Sequence, residues 1–149
     1  MTSWERESAL GEQGLDAREL LRLYRLASIS QSRADMSRLY AVDAAHEFPF
    51  TAPGFPTRLE GREEIMDWIS AGWQARLLSY EQYRTVSVHD TADSGTIVVE
   101  QEAIGTSKAT GDFTLPNIVV LTVRDGQITC FRDYVNIPAA VAALGLGGQ

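Results

Sequence analysis

Two short stretches, about 70 residues apart, constrain this chain more than anything else in it. Residues 45–64 read Ala-His-Glu-Phe-Pro-Phe-Thr-Ala-Pro-Gly-Phe-Pro-Thr-Arg-Leu-Glu-Gly-Arg-Glu-Glu, the pattern of a strand, a Pro/Gly loop and a helix start. Near the other end, Phe131-Arg132-Asp133-Tyr134 places a lone carboxylate among aromatic residues on a strand. The chain between them suffices for one helix and a curled antiparallel sheet. That layout predicts an α+β cone in which a bent sheet wraps a long helix and N-terminal helices cover an apolar cavity, the usual form of a small-molecule site.

The 149 residues read as a single domain, 1–149, with a sizeable core; the polar residues 1–15 form a loose arm that Trp4 could anchor. A net charge of −7 argues against a nucleic-acid partner, which needs a basic patch, and against an anionic membrane surface. The start of the chain carries Glu5, Glu7 and Glu12 rather than an apolar run, and no later stretch is long enough to span a membrane, so the expectation is a cytoplasmic protein. Cys130 is the one cysteine, so no internal disulfide forms, and it reads as a small strand-borne hydrophobe.

Asp16-Ala17-Arg18-Glu19 fits a capping box, followed by Leu20, Leu23, Tyr24 and Ala27 on one helical face. Residues 28–32 break that helix, and a short second one carries Met36, Leu39 and Tyr40. The first strand is expected over 42–50, with His46, Phe48 and Phe50 on one face and Glu47 on the other. Gly61 opens the long helix, expected to run to about residue 79, with Ile65, Trp68, Ile69, Trp73 and Leu77 on its apolar face. Period-two alternation then predicts strands at 83–89, 96–105, 113–124 and 127–135, joined by hairpin signals at 90–95 and Asp125-Gly126, with a terminal helix at 139–144.

The order Tyr40-Ala41-Val42-Asp43-Ala44, Glu47-Phe48-Pro49-Phe50, Gly61-Arg62-Glu63-Glu64-Ile65, Asp125-Gly126-Gln127-Ile128 and Phe131-Arg132-Asp133-Tyr134 resembles the nuclear transport factor 2-like superfamily, in its ketosteroid-isomerase-like and SnoaL-like branch. The resemblance covers residues 20–144, and the Pro/Phe-rich loop and the Asp-Tyr-Val-Asn-Ile-Pro ending look like the phenazine-biosynthesis A/B proteins. It implies a cofactor-free isomerase or cyclase, commonly a homodimer. Ketosteroid isomerases use an acidic base and an oxyanion hole of a Tyr and a second acid. Tyr24 falls at the oxyanion Tyr, but Phe48 falls at the base and Val119 at the second acid, so steroid isomerisation is not expected. SnoaL-like cyclases work with an acid on the last strand, where Asp133 falls.

Asp133 alternates with Phe131 and Val135, and burial among them would raise its pKa into the range of a general acid or base. The alternative is an outward Asp133 paired with a surface Arg. His46 either meets a ligand or Asp133, or is a core histidine; Tyr24 either steadies an oxyanion or packs. Asn117 and Gln101 share the pocket face by the same alignment, and Phe48, Phe50, Trp68, Val119 and Phe131 are the expected apolar walls. Glu100 and Glu102 face away, unless the register slips by one. His89 reads as a surface residue. The two His and one Cys give no metal-ligand spacing, so no metal and no cofactor is expected.

These readings converge on acid–base chemistry upon a hydrophobic carbonyl compound, with Asp133 as the proton carrier. A non-catalytic carrier and a protein-interaction module are the rivals. Epoxide hydrolysis would need a second acid and an Arg on the same face, and Arg132 points the other way.

Overall fold

The computed structural model describes residues 15–146. The N-terminal arm lies outside them except for Leu15, which packs against the core. Among the described residues the elements are α1 (Ala17–Ser30), α2 (Arg33–Leu39), β1 (Tyr40–Glu47), β2 (Arg58–Glu60), α3 (Arg62–Ala75), β3 (Leu78–Asp90), β4 (Thr96–Ser107), β5 (Gly111–Arg124), β6 (Gln127–Tyr134) and α4 (Ile137–Ala143). The class is α+β.

Local chemistry starts and stops the helices where the chain must turn. Asp16 caps α1 by accepting from the Glu19 N–H at 2.9 Å, and Ser32 caps α2 through the Asp35 N–H at 3.2 Å. Gln31 takes a left-handed conformation after α1. Arg76 does the same after α3 and ends that helix at Ala75, short of the expected residue 79. Leu77 therefore lies outside the helix, and Ser79 already belongs to β3. At the hairpin between β5 and β6, Asp125 (φ 52°) and Gly126 (φ 73°) both adopt the positive φ that a tight two-residue turn requires.

The strands form one six-stranded sheet in the order β2-β1-β6-β5-β4-β3. β1 runs parallel to β6, with His46 beside Phe131; the other neighbours are antiparallel. The first strand begins and ends earlier than its sequence pattern suggests, so Tyr40 is a strand residue and Phe50 sits in the loop beyond it. The short strand β2 carries no such pattern; it pairs Leu59 with His46 across an antiparallel edge.

Register shifts between Tyr80 and Gln82, Thr85 and Ser87, and Thr122 and Val123 curl this sheet. Its inner face meets α1, α2 and α3 over a core that includes Leu20, Leu39, Ile65, Val99, Leu121 and Ile128, all essentially inaccessible. Arg33 of α2 ties down α3, donating to Ser70 Oγ at 2.6 Å and to Asp67 at 3.0 Å. No helix among the described residues is long and apolar enough to cross a membrane.

One contact sets how closely β3 approaches β4. A Cβ at Gly105 would lie 2.0 Å from the Ser79 carbonyl oxygen and 3.0 Å from the Tyr80 Cα. Backbone cannot yield as a flexible side chain would, so Gly105→Ala must push β3 outward. The expected result is a loss of about 1–3 kcal/mol, the usual range for overpacking, read by denaturant unfolding.

Candidate active site

A cavity of about 250 Å³ opens between the inner sheet face, α1, α3, α4 and the loop after β1. Its wall is mostly apolar and aromatic: Phe48, Phe50, Trp68, Phe131, Leu115 and Val135 among others. Among the described residues, Asp133 is the only carboxylate in the wall, and no Lys, Arg or His lines it.

Asp133 stands inward on β6, opposite Val119 of β5. It is half-buried and lines the cavity. This burial raises its pKa from 3.8 to about 6, against a smaller opposing effect of the Asn117 amide. Asn117 Nδ2 donates to Asp133 Oδ1 at 2.8 Å. Gln101 Nε2 donates to Asn117 Oδ1 at 3.1 Å, and Arg25 Nη2 donates to Gln101 Oε1 at 2.8 Å. The carboxyl thus ends a file of polar groups crossing β4, β5 and β6, because Gln101 and Asn117 are direct partners in the ladder and Asp133 is the diagonal neighbour of Asn117.

Tyrosines surround the carboxyl. Tyr24 projects from α1 onto the ring of Phe131, centroids 4.7 Å apart. Tyr80 and Tyr83 come from β3, and Tyr83 shares a 2.8 Å hydrogen bond with Ser28. Burial raises all three pKa values, Tyr80 to about 12 and Tyr24 well above its ordinary value, so these phenols remain donors near neutrality. Among the described residues, nothing in the protein bonds to the Tyr24 or Tyr80 hydroxyl, although both line the cavity. Their O–H groups and the second oxygen of Asp133 are therefore available to a guest.

Of the two readings of His46, the structure places it as a core histidine and not as a partner of Asp133 or a ligand-facing group. Its Nδ1 lies 3.0 Å from the Tyr40 hydroxyl, not against Asp133, and its ring stacks on Phe131 at 4.6 Å. It is 2% exposed, burial lowers its pKa to about 3, and it is absent from the cavity wall. Val119 is likewise fully buried in the core beneath the cavity rather than on its wall. Phe50 is 60% exposed, at the cavity mouth, edge-on to Tyr134 at 5.4 Å. Trp68 packs on Phe48 at 5.0 Å and does form wall.

Glu100 and Glu102 point outward, to His89 and Arg84 respectively. Cys130 is half-buried, its thiol 3.7 Å from Glu47, and burial raises its pKa. Among the described residues no group of three or more His, Cys, Asp or Glu is placed to hold a metal ion.

Arg25, Ser28, Tyr80 and Tyr83 escape a reading by sequence pattern. Tyr80 falls just past the helix expected to residue 79. Its inward placement beside Tyr83 depends on the register shift after Tyr80, which makes residues three apart share a face. Arg25 reads as a solvent-facing helix residue until β4 supplies Gln101.

The SnoaL-like domain family model matches residues 20–131. The uncharacterized PhzA/B-like protein PA3332 of Pseudomonas aeruginosa is 32% identical over 108 residues, 72% of this chain and 74% of that protein. A crystal structure of a candidate isomerase from Bacillus subtilis superposes with a TM-score of 0.80 at 29% identity, covering 88% of this chain and 94% of that one. A candidate polyketide cyclase from Pseudomonas putida gives a TM-score of 0.67 at 19% identity over 87% of this chain and 98% of that one, a likeness of fold.

The raised pKa of Asp133 has a consequence for stability. The folded state holds this proton more tightly than the unfolded chain, so the contribution is fully present below about pH 4 and is lost as pH rises through about 6. Replacing Asp133 with Asn removes that loss. The stability difference between Asp133→Asn and the wild type is expected to grow by roughly 1.4 kcal/mol per pH unit across this window and to level off above it. Urea unfolding at a series of pH values measures it.

Proposed function

This chain belongs to the SnoaL-like domain family, and on that premise we propose that it is a cofactor-free acid–base catalyst of the isomerase or cyclase type. Its fold is that of enzymes of this kind. The observation that carries the reading is one half-buried carboxylate, the only one among the described lining residues, its pKa near 6, in an aromatic cavity that also holds two phenol hydroxyls bonded by no described residue.

The substrate we infer is an uncharged hydrophobic molecule bearing a carbonyl group. Among the described residues no cation lines the cavity, so an anionic guest would lose its hydration without a counter-charge. In the proposed step, Asp133 Oδ2 removes a proton alpha to the carbonyl. The phenols of Tyr24 and Tyr80 donate to the oxygen as it becomes an enolate, and the protonated acid returns the proton to another carbon or to an alkoxide formed by ring closure. Phe48, Trp68 and Phe131 exclude water from the reacting atoms. In this proposal Tyr24 takes the oxyanion role, and Gln101 and Asn117 act through Asp133. We assign His46 to holding the ring of Phe131 rather than to moving a proton. The PhzA/B-like relative supports a place in secondary metabolism.

Solvent exchange tests the proposal even before a substrate is identified. A panel of neutral enolisable aromatic ketones incubated in D₂O should gain alpha-deuterium faster with the protein than with buffer, followed by ¹H NMR. Asp133→Asn should lower that rate by about 10²–10⁴-fold, the usual contribution of a positioned base, with ligand affinity kept. Tight binding without any exchange would identify a carrier instead.

We further propose that the protein forms a homodimer through the outer sheet face. Ile118 and Val86, 43% and 62% exposed, share a groove with Glu100 and Glu102 on that side, where Val98, Val120 and Arg132 also lie. Light scattering at micromolar concentration should give twice the chain mass, and Ile118→Glu should give the monomer; a monomeric wild type would refute the interface.

A further inference from the structure

The polar file that ends at Asp133 has a direction, and the direction is set at its far end. Arg25 can only donate. It does so from Nε at 3.3 Å and Nη2 at 2.8 Å to the same oxygen, Gln101 Oε1. A third donor, Nη1, holds Thr85 Oγ1 at 2.8 Å, and the guanidinium lies over the ring of Tyr83 at 5.7 Å. With its oxygen claimed, Gln101 has only its NH₂ to offer Asn117. Asn117 must accept on its own oxygen and present its NH₂ to Asp133 Oδ1. The reverse sense would begin with a proton on Oδ1 donated to Asn117, and would end with the Gln101 NH₂ facing the guanidinium, donor against donor. Gln101 is 5% exposed, so no bulk water relieves that clash.

We propose that Arg25, Gln101 and Asn117 form a directional relay that keeps Asp133 Oδ1 an acceptor and thereby confines the exchangeable proton to Oδ2, the oxygen that no described residue bonds. Arg25 and Gln101 are positioning residues: neither donates a proton to a guest, and Arg25 is absent from the cavity wall. This deepens the proposed function, since it rests on Asp133 as the proton carrier. It explains why a carboxyl with two chemically equal oxygens would present the same one to every substrate, in its acidic and its basic form alike.

The relay is open to measurement with no substrate present. Among the described residues the titratable groups that feel the Asp133 charge are Tyr24, Tyr40, Tyr80 and Tyr83, all raised above their ordinary values by burial, so they are silent below pH 9. The Asp133 carboxyl is followed by ¹³C NMR in the wild type, Arg25→Met, Arg25→Lys and Gln101→Met. Breaking the file at either Met variant admits the reverse sense, which gives the neutral acid a second bonded form. Its midpoint should therefore rise by about half a unit to one unit, a roughly three- to tenfold change in acidity, and Arg25→Lys should return it towards the wild type. A rise with Arg25→Met but none with Gln101→Met would overturn the relay, because it would show that only the charge of Arg25 acts. No rise with either would overturn it too.

Should the Met variants fail to fold, the wild type itself decides. The side-chain amide ¹⁵N signals of Asn117 and, with smaller amplitude, Gln101 must move with the Asp133 titration. A Gln101 amide that stays flat while Asn117 moves would equally overturn the proposal. Because deuterium exchange into a ketone is not needed here, failure of the relay leaves the catalytic role of Asp133 standing, and loss of that role leaves the titration result intact.

Discussion

The arrangement of the inner sheet face turns on the difficulty of keeping one carboxyl group among aromatic rings. Leaving water costs an ionised acid several kcal/mol unless charge or hydrogen bonds replace the hydration. Here the replacement is incomplete: one amide bond reaches Oδ1, and the pKa settles near 6. The neighbouring strands are built around that compromise. Gln101 and Asn117 take inward positions that would otherwise hold Val or Leu, while Val99, Val119 and Leu121 continue the core beneath them. Where the sheet must curl to bring tyrosines over the same spot, β3 bulges after Tyr80, and Gly105 lets it approach closely.

Much of this was legible in the chain, because alternation is a strong signal when one face is buried. The period-two runs located β4, β5 and β6 closely. Alternation also put Asp133 on one face with Phe131 and Val135 and turned Glu100 and Glu102 to the other, whereas the inward side of Gln101 and Asn117 was legible only through the family resemblance. The helix end at Ala75 was not legible, since Arg76 adopts a left-handed conformation with no glycine to announce it. The inward Tyr80 depends on a bulge, which alternation cannot reveal. His46 and Phe50 shared a face on paper, yet β1 stops at Glu47, so one is sealed in the core and the other stands at the mouth. Val119 had the right face but the wrong depth. Strand periodicity gives the face of a residue and not its distance from the cavity.

His46 illustrates how a titratable group can be neutralised by its surroundings. Deep burial beside Tyr40 and Phe131 lowers its pKa to about 3, so it is an uncharged, flat, hydrogen-bonded ring at any pH near neutrality. Its stacking holds the ring of Phe131, against which Tyr24 also packs. Asp133 differs in one physical respect: the cavity reaches it. Both groups are shifted chiefly by burial, in the direction that favours the neutral form, but only the carboxyl can exchange a proton with a guest.

Arg25 is within two side chains of Asp133, and a direct ion pair between them would have been the simpler way to satisfy a buried acid. Such a pair would hold the carboxyl ionised far below neutrality, since an opposite charge at contact lowers a carboxyl pKa by roughly 1–3 units. It would also bring a guanidinium into the cavity wall, where it would attract anions. Interposing Gln101 and Asn117 transmits the geometry of the guanidinium without its full charge. Each amide accepts at one end and donates at the other, so orientation passes along the file while the Coulomb attraction falls with distance. The carboxyl stays oriented, holds a pKa near 6 and lines a cavity in which no described residue is cationic. The proposed acid–base role and the proposed preference for uncharged guests both depend on that separation: burial raises the carboxyl, and the two amides keep the guanidinium out of the wall.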